Sequence, residues 1–265
     1  MKNKIHLIGN AHLDPIWLWR WQEGCGEVLQ TFRSAVDRLK EYKGLVFTCS
    51  SASYYKWVEE IDPELFEEIR KLVKKGKWVP VNGWWVQPDC NMPSGESFVR
   101  QILEAKRYFS EKFQVHPTTA INFDPFGHTV GLVQIMKKCG QDSYIFTRPY
   151  DSQLDLEDDL FYWVGLDGSK IKALRAHGYN SPLGNSREVI ENCPYVNNFI
   201  YFDTNRKQNF TKCKVFLFYC QTTVKHIIKN RINNNSKFSK FTWLYCNTTN
   251  NFYPTTSLIN QTTIN

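Results

Sequence analysis

Several features that define other protein classes are missing from this chain of 265 residues. No apolar run approaches the ~20 residues that a membrane-spanning helix needs, so we expect no membrane partner. The first apolar stretch is one short strand, too short for the apolar core of a signal peptide. The eight cysteines show no CxxC spacing. We therefore predict a cytoplasmic protein whose cysteines are reduced thiols.

The C-terminal part of the chain lacks three common residue types. Residues 194–265 contain no glycine, alanine or glutamate, and stretches such as INNNSKFSKF are rich in asparagine, lysine and serine. A packed α/β domain needs glycine in its turns. We therefore predict one domain over residues 1–193 and a distinct Asn/Thr/Lys-rich tail over residues 194–265. Two interpretations of the tail stay open: out-of-frame or disordered sequence, and a separate Asn-rich appendage.

The tail also has almost no acidic residues. It carries nine Lys/Arg and a single acid, Asp203, whereas residues 1–193 carry 24 basic and 25 acidic residues. The formal net charge of +7 therefore comes from the tail, which has about +8 of its own. Because the basic excess is confined to the tail, the charge does not favour a nucleic-acid partner for the rest of the chain.

Strand-like and helix-like segments alternate over residues 4–176. The predicted strands are KIHLIGNAH, LVFTCS, KWVPVNG, TTAINFD and SYIFTRP, followed by two strands joined at Asp167-Gly168. Amphipathic helices lie between them, one of which begins at Asp62-Pro63 with an N-cap and a proline in the first turn. This alternation predicts an α/β fold with a mostly parallel sheet, either open or closed into a barrel.

Four of these predicted strands are followed by residues that could bind a metal or a ligand. In strand order these residues are His12 and Asp14, Trp84 and Asp89, Asp124, and Arg148. Since chemistry in such folds lies at the carboxyl ends of the strands, we expect the residues to converge on one rim. A histidine nitrogen with two carboxylate oxygens suits zinc or another first-row metal, with a fourth ligand still to be found.

Each of these signals is weak by itself. A histidine at a strand end is more often simply hydrogen-bonded, and Asp124-Pro125 is typical of a turn. Gly127 allows a close backbone approach, and His128 is expected to orient Asp124 or a neighbour rather than to bind a metal. Gln87 and Asn91 lie with Asp89 just before a long helix.

Four motifs in combination resemble the N-terminal catalytic domain of glycoside hydrolase family 38, the α-mannosidases. They are AHLDPIWLW, GWWVQPDCNMPSGESFVRQ, FDPFGHT and FTRP, and their order and spacing match from about Ile5 to about Pro182. The resemblance implies a seven-stranded β/α barrel of the glycoside hydrolase/deacetylase type, incomplete in this chain. It also implies a zinc-dependent retaining exo-α-mannosidase that acts on terminal α-D-mannosyl residues, with homo-oligomeric complete relatives.

The resemblance implies roles for individual residues as well. His12 and Asp14 match the first two zinc ligands. Asp124 matches the residue that is both a zinc ligand and the catalytic nucleophile. Trp17 matches a tryptophan that stacks on the sugar, and Arg148 matches an arginine beside the nucleophile, where it favours the charged carboxylate.

Other parts of the family pattern are not matched. Tyr179, in HGYNSP, is aligned with a substrate-binding tyrosine across a region of insertions and deletions. The family's fourth zinc ligand, a histidine, and its acid/base residue lie further along the chain. The contexts of His226 and Asp203 resemble neither, so both roles stay unassigned. Because a general acid–base contributes typically ~10²–10⁴-fold in rate, we predict that the chain as written is poorly active.

Two alternatives stay open. The chain could be a non-catalytic mannose-binding fragment that keeps Trp17 and a weak zinc site. It could also be another metal-dependent barrel hydrolase such as a deacetylase, which would need a water-activating base where we place the nucleophile Asp124.

Overall fold

The computed structural model describes residues 5–176 and 214–219. Its strands are β1 (Ile5–Ala11), β2 (Phe47–Cys49), β3 (Trp78–Pro80), β4 (Thr119–Asn122), β5 (Ser143–Phe146), β6 (Leu160–Val164), β7 (Lys170–Arg175) and β8 (Lys214–Tyr219). Its helices are α1 (Trp21–Glu41), α2 (Ala52–Ile61), α3 (Pro63–Lys74), α4 (Gly95–Phe113) and α5 (Leu132–Lys138). The strand–helix alternation predicted from the sequence is confirmed.

The starts of two helices follow from their capping residues. The Asp62 side chain accepts a hydrogen bond from the Leu65 backbone N–H (2.9 Å), and Ser94 accepts one from the Ser97 N–H (3.2 Å). Each bond satisfies a donor that has no partner within its helix. Helix α1 begins at Trp21. The helical spacing of apolar residues predicts a start at Glu27, six residues later, because Gly24 and Gly26 weaken the local helix signal without preventing the helix.

The strands form two four-stranded sheets. Sheet A has the order β3-β2-β1-β8 and is parallel throughout. Sheet B has the order β4-β5-β7-β6, and its β6–β7 pair is the antiparallel hairpin predicted at Asp167-Gly168. Gly168 has a φ of 78°, which the turn requires and which glycine adopts without strain. Among residues 5–176 and 214–219, no strand pairing joins the two sheets into a closed barrel.

Strand β8 comes from the tail. Lys214–Tyr219 pairs in parallel with β1, in a register that runs from Ile5 with Lys214 to Asn10 with Tyr219. This strand is not among those predicted from the sequence, although KVFLFY is rich in residues that favour strands. The rest of the tail lies outside the described residues.

Two large clusters of buried side chains support the sheets. Cluster A packs sheet A against α1, α2, α3 and α4 around Phe32, Tyr55 and Trp78. Cluster B packs sheet B against α4 and α5 around Ile102 and Tyr144. Helix α4 contributes side chains to both clusters and thereby ties the two sheets together. None of the helices that the structure describes is long and apolar enough to cross a membrane.

Side-chain amides form hydrogen bonds between the segment that follows β3 of sheet A and strand β4 of sheet B. We call this boundary between the two sheets the seam. After β3 the chain turns at Asn82, whose φ is 77°. The Asn82 backbone N–H donates to the Thr119 carbonyl (2.9 Å), and its side-chain oxygen accepts from the Ile121 N–H (2.8 Å). The buried Gln141 in turn donates to the Asn82 carbonyl (2.5 Å). The edge of β4 that faces sheet A is thus satisfied by the Asn82 main chain and by side chains rather than by another strand.

Candidate active site

The loop after β1 holds His12 and Asp14 close together. His12 is buried, with 5% of its surface exposed, and its Nε2 lies 3.3 Å from Asp14 Oδ1. The loop backbone is fixed by two side chains from elsewhere in the chain. Trp19 Nε1 donates to the Asp14 carbonyl (3.1 Å), and the Tyr54 hydroxyl of α2 donates to the Leu13 carbonyl (2.5 Å).

A close backbone contact also positions this loop. Gly24, in the first turn of α1, lies so near Pro15 that a Cβ at position 24 would overlap the Pro15 carbonyl oxygen. Gly26, one half-turn later, has open space around it. The helix can therefore pack against the His12–Asp14 loop only because residue 24 has no side chain.

Trp17 is exposed beside the pair. Sixty-five per cent of its surface is accessible, and its ring meets Trp19 edge to face at a centroid distance of 5.2 Å. The neighbouring Ile16 and Leu18 are exposed as well. An accessible aromatic face supported by a second ring suits stacking on a flat or C–H-rich ligand face.

Asp124 and Arg148 meet at the carboxyl end of sheet B. Arg148 Nε donates to Asp124 Oδ1 at 2.5 Å, and both side chains are partly buried. The guanidinium carbon lies 5.3 Å from the centre of the Phe126 ring and 4.9 Å from that of Tyr150. The two rings hold the guanidinium plane by cation–π contact and so orient the ion pair. Neither ring was singled out in the sequence, where adjacency to Asp124 and Arg148 is the only signal.

The backbone before Asp124 is held by side chains on both sides. The Phe123 N–H donates to the Gln87 side-chain oxygen (2.8 Å), and the Phe123 carbonyl accepts from the Thr147 hydroxyl. Gln87 also donates through Nε2 to the buried Ser50 hydroxyl (2.6 Å). The sequence alone assigns Gln87 no role; its place after β3, in the same motif as Asp89, is the signal that could have found it.

Gly127 makes the close approach that its position suggested. Its φ is 117°, and a Cβ there would overlap the Asn91 side chain. Asn91 Nδ2 donates to the Phe126 carbonyl (3.0 Å), and the Asn91 N–H donates to the Asp89 carboxylate (2.9 Å). Asp89 therefore builds a turn that supports the Asp124 loop from outside.

Two expectations for this rim need correction. His128 does not orient Asp124: its Nε2 hydrogen-bonds the Tyr144 hydroxyl (2.8 Å), and its ring packs on Phe146 and Trp163. Burial among these rings lowers the pKa of His128 to about 4, so the imidazole is neutral at pH 7.

Trp84 is the second correction, because it is not on the rim. It is fully buried in cluster B, and its Nε1 donates to the Gln141 side-chain oxygen (2.8 Å). A tryptophan at the end of a strand can lie on the rim or in the core. Here its packing against Phe98 and Tyr144 places it in the core.

The structure thus forms two pairs, His12 with Asp14 and Asp124 with Arg148. Within the part of the chain that the structure describes, no three His, Cys, Asp or Glu side chains form a group that could hold a metal. Tyr179, His226 and Asp203 lie outside the described residues.

Comparison with known proteins decides the family. A model of the glycosyl hydrolases family 38 N-terminal domain matches residues 2–261. The chain belongs to this family. Family 38 membership favours a glycosidase over the deacetylase alternative.

Curated relatives are similar to part of the chain. The chain is 32% identical over 171 residues to alpha-mannosidase G of Dictyostelium discoideum and, equally, to alpha-mannosidase 2C1 of Mus musculus. In both cases the match covers 64% of this chain and 16% of the relative. The chain therefore spans only about a sixth of the length of these relatives.

Solved structures support the fold. The structure of an alpha-mannosidase from Enterococcus faecalis V583 matches 88% of this chain and 27% of its own length, with a TM-score of 0.69 and 18% identity. At this identity the likeness concerns the fold, which is mixed α/β as predicted.

Proposed function

We propose that this chain carries the site of a zinc-dependent, retaining exo-α-mannosidase that releases terminal α-D-mannosyl residues. The observation that carries the proposal is the Asp124–Arg148 ion pair at the carboxyl end of sheet B in a family 38 domain. The curated relatives are named alpha-mannosidases, which supports an α-mannoside or an oligosaccharide ending in one as the substrate. A cytoplasmic location and a homo-oligomeric state stay predictions.

We also propose that sheets A and B, without the antiparallel β6, are parts of one seven-stranded barrel that is incomplete. The Asn82 and Gln87 amides already join the segment after β3 to β4 and so continue the strand order across the seam. In a barrel of parallel strands, the loops after β1, β4 and β5 open on the same face. His12, Asp14, Asp124 and Arg148 would then line one cleft.

Asp124 would act as the nucleophile. A retaining glycosidase forms a bond from a carboxylate oxygen to the anomeric carbon as the glycosidic C–O bond breaks, and water then hydrolyses the glycosyl-enzyme ester. Arg148 donates to one oxygen of the Asp124 carboxylate and so fixes the orientation of that carboxylate. The Phe123 backbone on one side and the Phe126–Tyr150 rings on the other keep the carboxylate in place. The residue that protonates the leaving group is unassigned.

The His12–Asp14 pair fits zinc. Histidine nitrogen and carboxylate oxygen are ordinary zinc ligands, and two atoms ~2.0–2.1 Å from a tetrahedral ion lie ~3.3–3.4 Å apart. The 3.3 Å separation of His12 Nε2 and Asp14 Oδ1 equals that spacing. Asp124 would be the third ligand. When bound, zinc would serve as a Lewis acid and template for the sugar hydroxyls.

Trp17 would supply the platform for the sugar. Its exposed ring stands two residues beyond Pro15, on the loop that carries His12 and Asp14, and would receive the C–H face of the mannosyl ring. Tyr179 keeps its proposed role in substrate binding.

The test is zinc titration by calorimetry, followed by release of mannose from an aryl α-mannoside, on the full chain. We expect zinc-dependent binding of mannoside that is lost in His12→Ala, and any product to be lost in Asp124→Asn. Asp142→Asn, at the opposite end of β5, should leave both unchanged. Zinc-dependent binding of mannose without product would favour the sugar-binding alternative. A chain that binds neither zinc nor mannoside would refute the proposal.

A further inference from the structure

Side-chain amides replace a strand partner along the outer edge of β4. The backbone N–H groups of Ile121 and Phe123 donate to the side-chain oxygens of Asn82 (2.8 Å) and Gln87 (2.8 Å), respectively. Residues two apart on a strand present their N–H groups to the same side, so these two donors face the seam. Asn82 acts at the middle of β4, and Gln87 acts at its carboxyl end, directly before Asp124.

Gln87 spans the seam with both ends of its amide. Its oxygen accepts from Phe123 on the sheet B side, and its nitrogen donates to Ser50 (2.6 Å), which directly follows β2 in sheet A. Ser50 is 1% exposed, so the sheet A end of the bridge is fixed in the core. The amide therefore sets the separation between the end of β2 and the residue before Asp124.

The proposed site is divided between the two sheets. His12, Asp14 and Trp17 follow β1 of sheet A, whereas Asp124 and Arg148 follow β4 and β5 of sheet B. Within the described residues these sheets do not pair through their strands. The relative position of the two halves must therefore be held by contacts across the seam. The Gln87 bridge reaches Phe123, the residue directly before Asp124, and Asn122 Nδ2 one residue earlier donates to the Pro88 carbonyl (2.8 Å).

We infer that Gln87 is a positioning residue that holds Asp124 at its working distance from the His12–Asp14 pair. The inference rests on the proposed function for the meaning of that distance. Gln87 itself need not contact substrate or metal. It acts through the Phe123 backbone.

Two replacements of Gln87 distinguish the effect of its two hydrogen bonds from the effect of its side-chain size. Gln87→Met keeps length and flexibility but removes both hydrogen bonds. Gln87→Glu keeps both, because one carboxylate oxygen can accept from the Phe123 N–H while the other accepts from the Ser50 hydroxyl, which can rotate to donate. Gln141→Met is the matched control: Gln141 also bridges the seam through both amide ends, to Trp84 and Asn82, but it precedes β5 and so lies away from the rim.

The first measurement is hydrogen exchange of the Phe123 amide, in full chain labelled with ¹⁵N-phenylalanine so that only 18 backbone signals appear. We expect at least about tenfold faster exchange in Gln87→Met, since the loss of such a bond typically changes a local equilibrium by that factor. Gln87→Glu should stay close to the parent. Unchanged exchange in Gln87→Met would show that the bridge does not form.

The second measurement is zinc affinity. If the parent chain hydrolyses the aryl α-mannoside, kcat and KM for that substrate are measured as well. We expect Gln87→Met to weaken zinc binding about tenfold and to lower kcat more than it raises KM, with recovery in Gln87→Glu. Gln141→Met should lower the melting temperature without this pattern. If Gln87→Met exchanges faster yet matches Gln141→Met in zinc binding and kinetics, Gln87 is structural and the inference fails. If the parent chain binds no zinc and no mannoside, the proposed function fails, and the inference fails with it. The exchange result would still show whether the hydrogen bond between Gln87 and Phe123 forms.

Discussion

The two halves of the candidate site are held in place by different means. The half on sheet A is fixed through its main chain: Trp19 and Tyr54 donate to loop carbonyls, and Gly24 admits close backbone contact at Pro15. The half on sheet B is fixed through a functional side chain as well: Gln87 and Thr147 bind the Phe123 main chain before Asp124, and two rings flank the Arg148 guanidinium that pairs with Asp124.

The difference follows from the tasks of the two halves. His12 and Asp14 are two residues apart, so a rigid loop alone keeps them at ligand spacing. Asp124 and Arg148 come from neighbouring strands, so their side chains need lateral support. We therefore expect substitutions near β1 to act through backbone geometry, and those around Arg148 to act through side-chain orientation.

The largest effect is expected from Gly24→Ala. The new methyl group would overlap the Pro15 carbonyl, which as backbone cannot move aside like a rotamer, so we expect a loss of about 2–3 kcal/mol in the free energy of unfolding. Urea denaturation measures it. Gly26→Ala, in open space in the same helix, should instead gain about 0.5–1 kcal/mol from helix propensity. Equal effects of the two variants would mean that the close contact with Pro15 does not constrain the loop.

The next effect is a pH dependence from His128. Its pKa is about 4 in the folded chain, below the ordinary value near 6.5, so the unfolded chain binds the proton more tightly. The stabilising contribution is complete above pH 6.5 and is lost as the pH falls towards 4. Between pH 7 and pH 4.5 we expect the parent to lose about 2 kcal/mol more stability than His128→Gln, which does not titrate. Parallel pH profiles of the two proteins would contradict this.

A smaller effect is expected from Arg148→Lys. The charge stays, but the planar contact with Phe126 and Tyr150 and the directed bond to Asp124 are lost, for about 1–2 kcal/mol of stability. Arg100→Lys is the control, because Arg100 pairs with Glu96 on an exposed face of α4 and flanks no ring among the residues that the structure describes. That change should stay within about 0.5 kcal/mol. If both replacements cost the same, the rings do not orient the guanidinium.

The smallest effect is expected from Tyr54→Phe. It removes the hydroxyl that donates to the Leu13 carbonyl, at about 1 kcal/mol. Zinc affinity should fall with it, because the His12–Asp14 loop loosens. Tyr55→Phe removes a donor to the Cys49 carbonyl instead and should lower stability without changing zinc affinity. A loss of zinc affinity in both variants would point to a general weakening of α2.

The elements that could be predicted are those with local causes. The strand after Lys4, the helix at Asp62-Pro63 and the hairpin at Asp167-Gly168 follow from apolar periodicity, a cap and a turn. Helix α1 was predicted too short, because Gly24 and Gly26 lower its local propensity while packing against the β1 loop overrides it. The sequence predicts Trp84 on the rim and His128 beside Asp124 or a neighbour, because it shows which residues follow a strand and not which way their side chains turn.

The sequence by itself determined the α/β alternation, the carboxyl-end positions of His12, Asp14, Asp124 and Arg148, and the family, because these rest on order and spacing along the chain. Only the tertiary structure decided that β8 pairs with β1, that His128 hydrogen-bonds Tyr144, and that Gln87 links Ser50 to Phe123. These contacts link residues 16 to about 200 positions apart. Such pairings depend on which surfaces meet when the helices and strands pack, and no local pattern in the sequence encodes that choice.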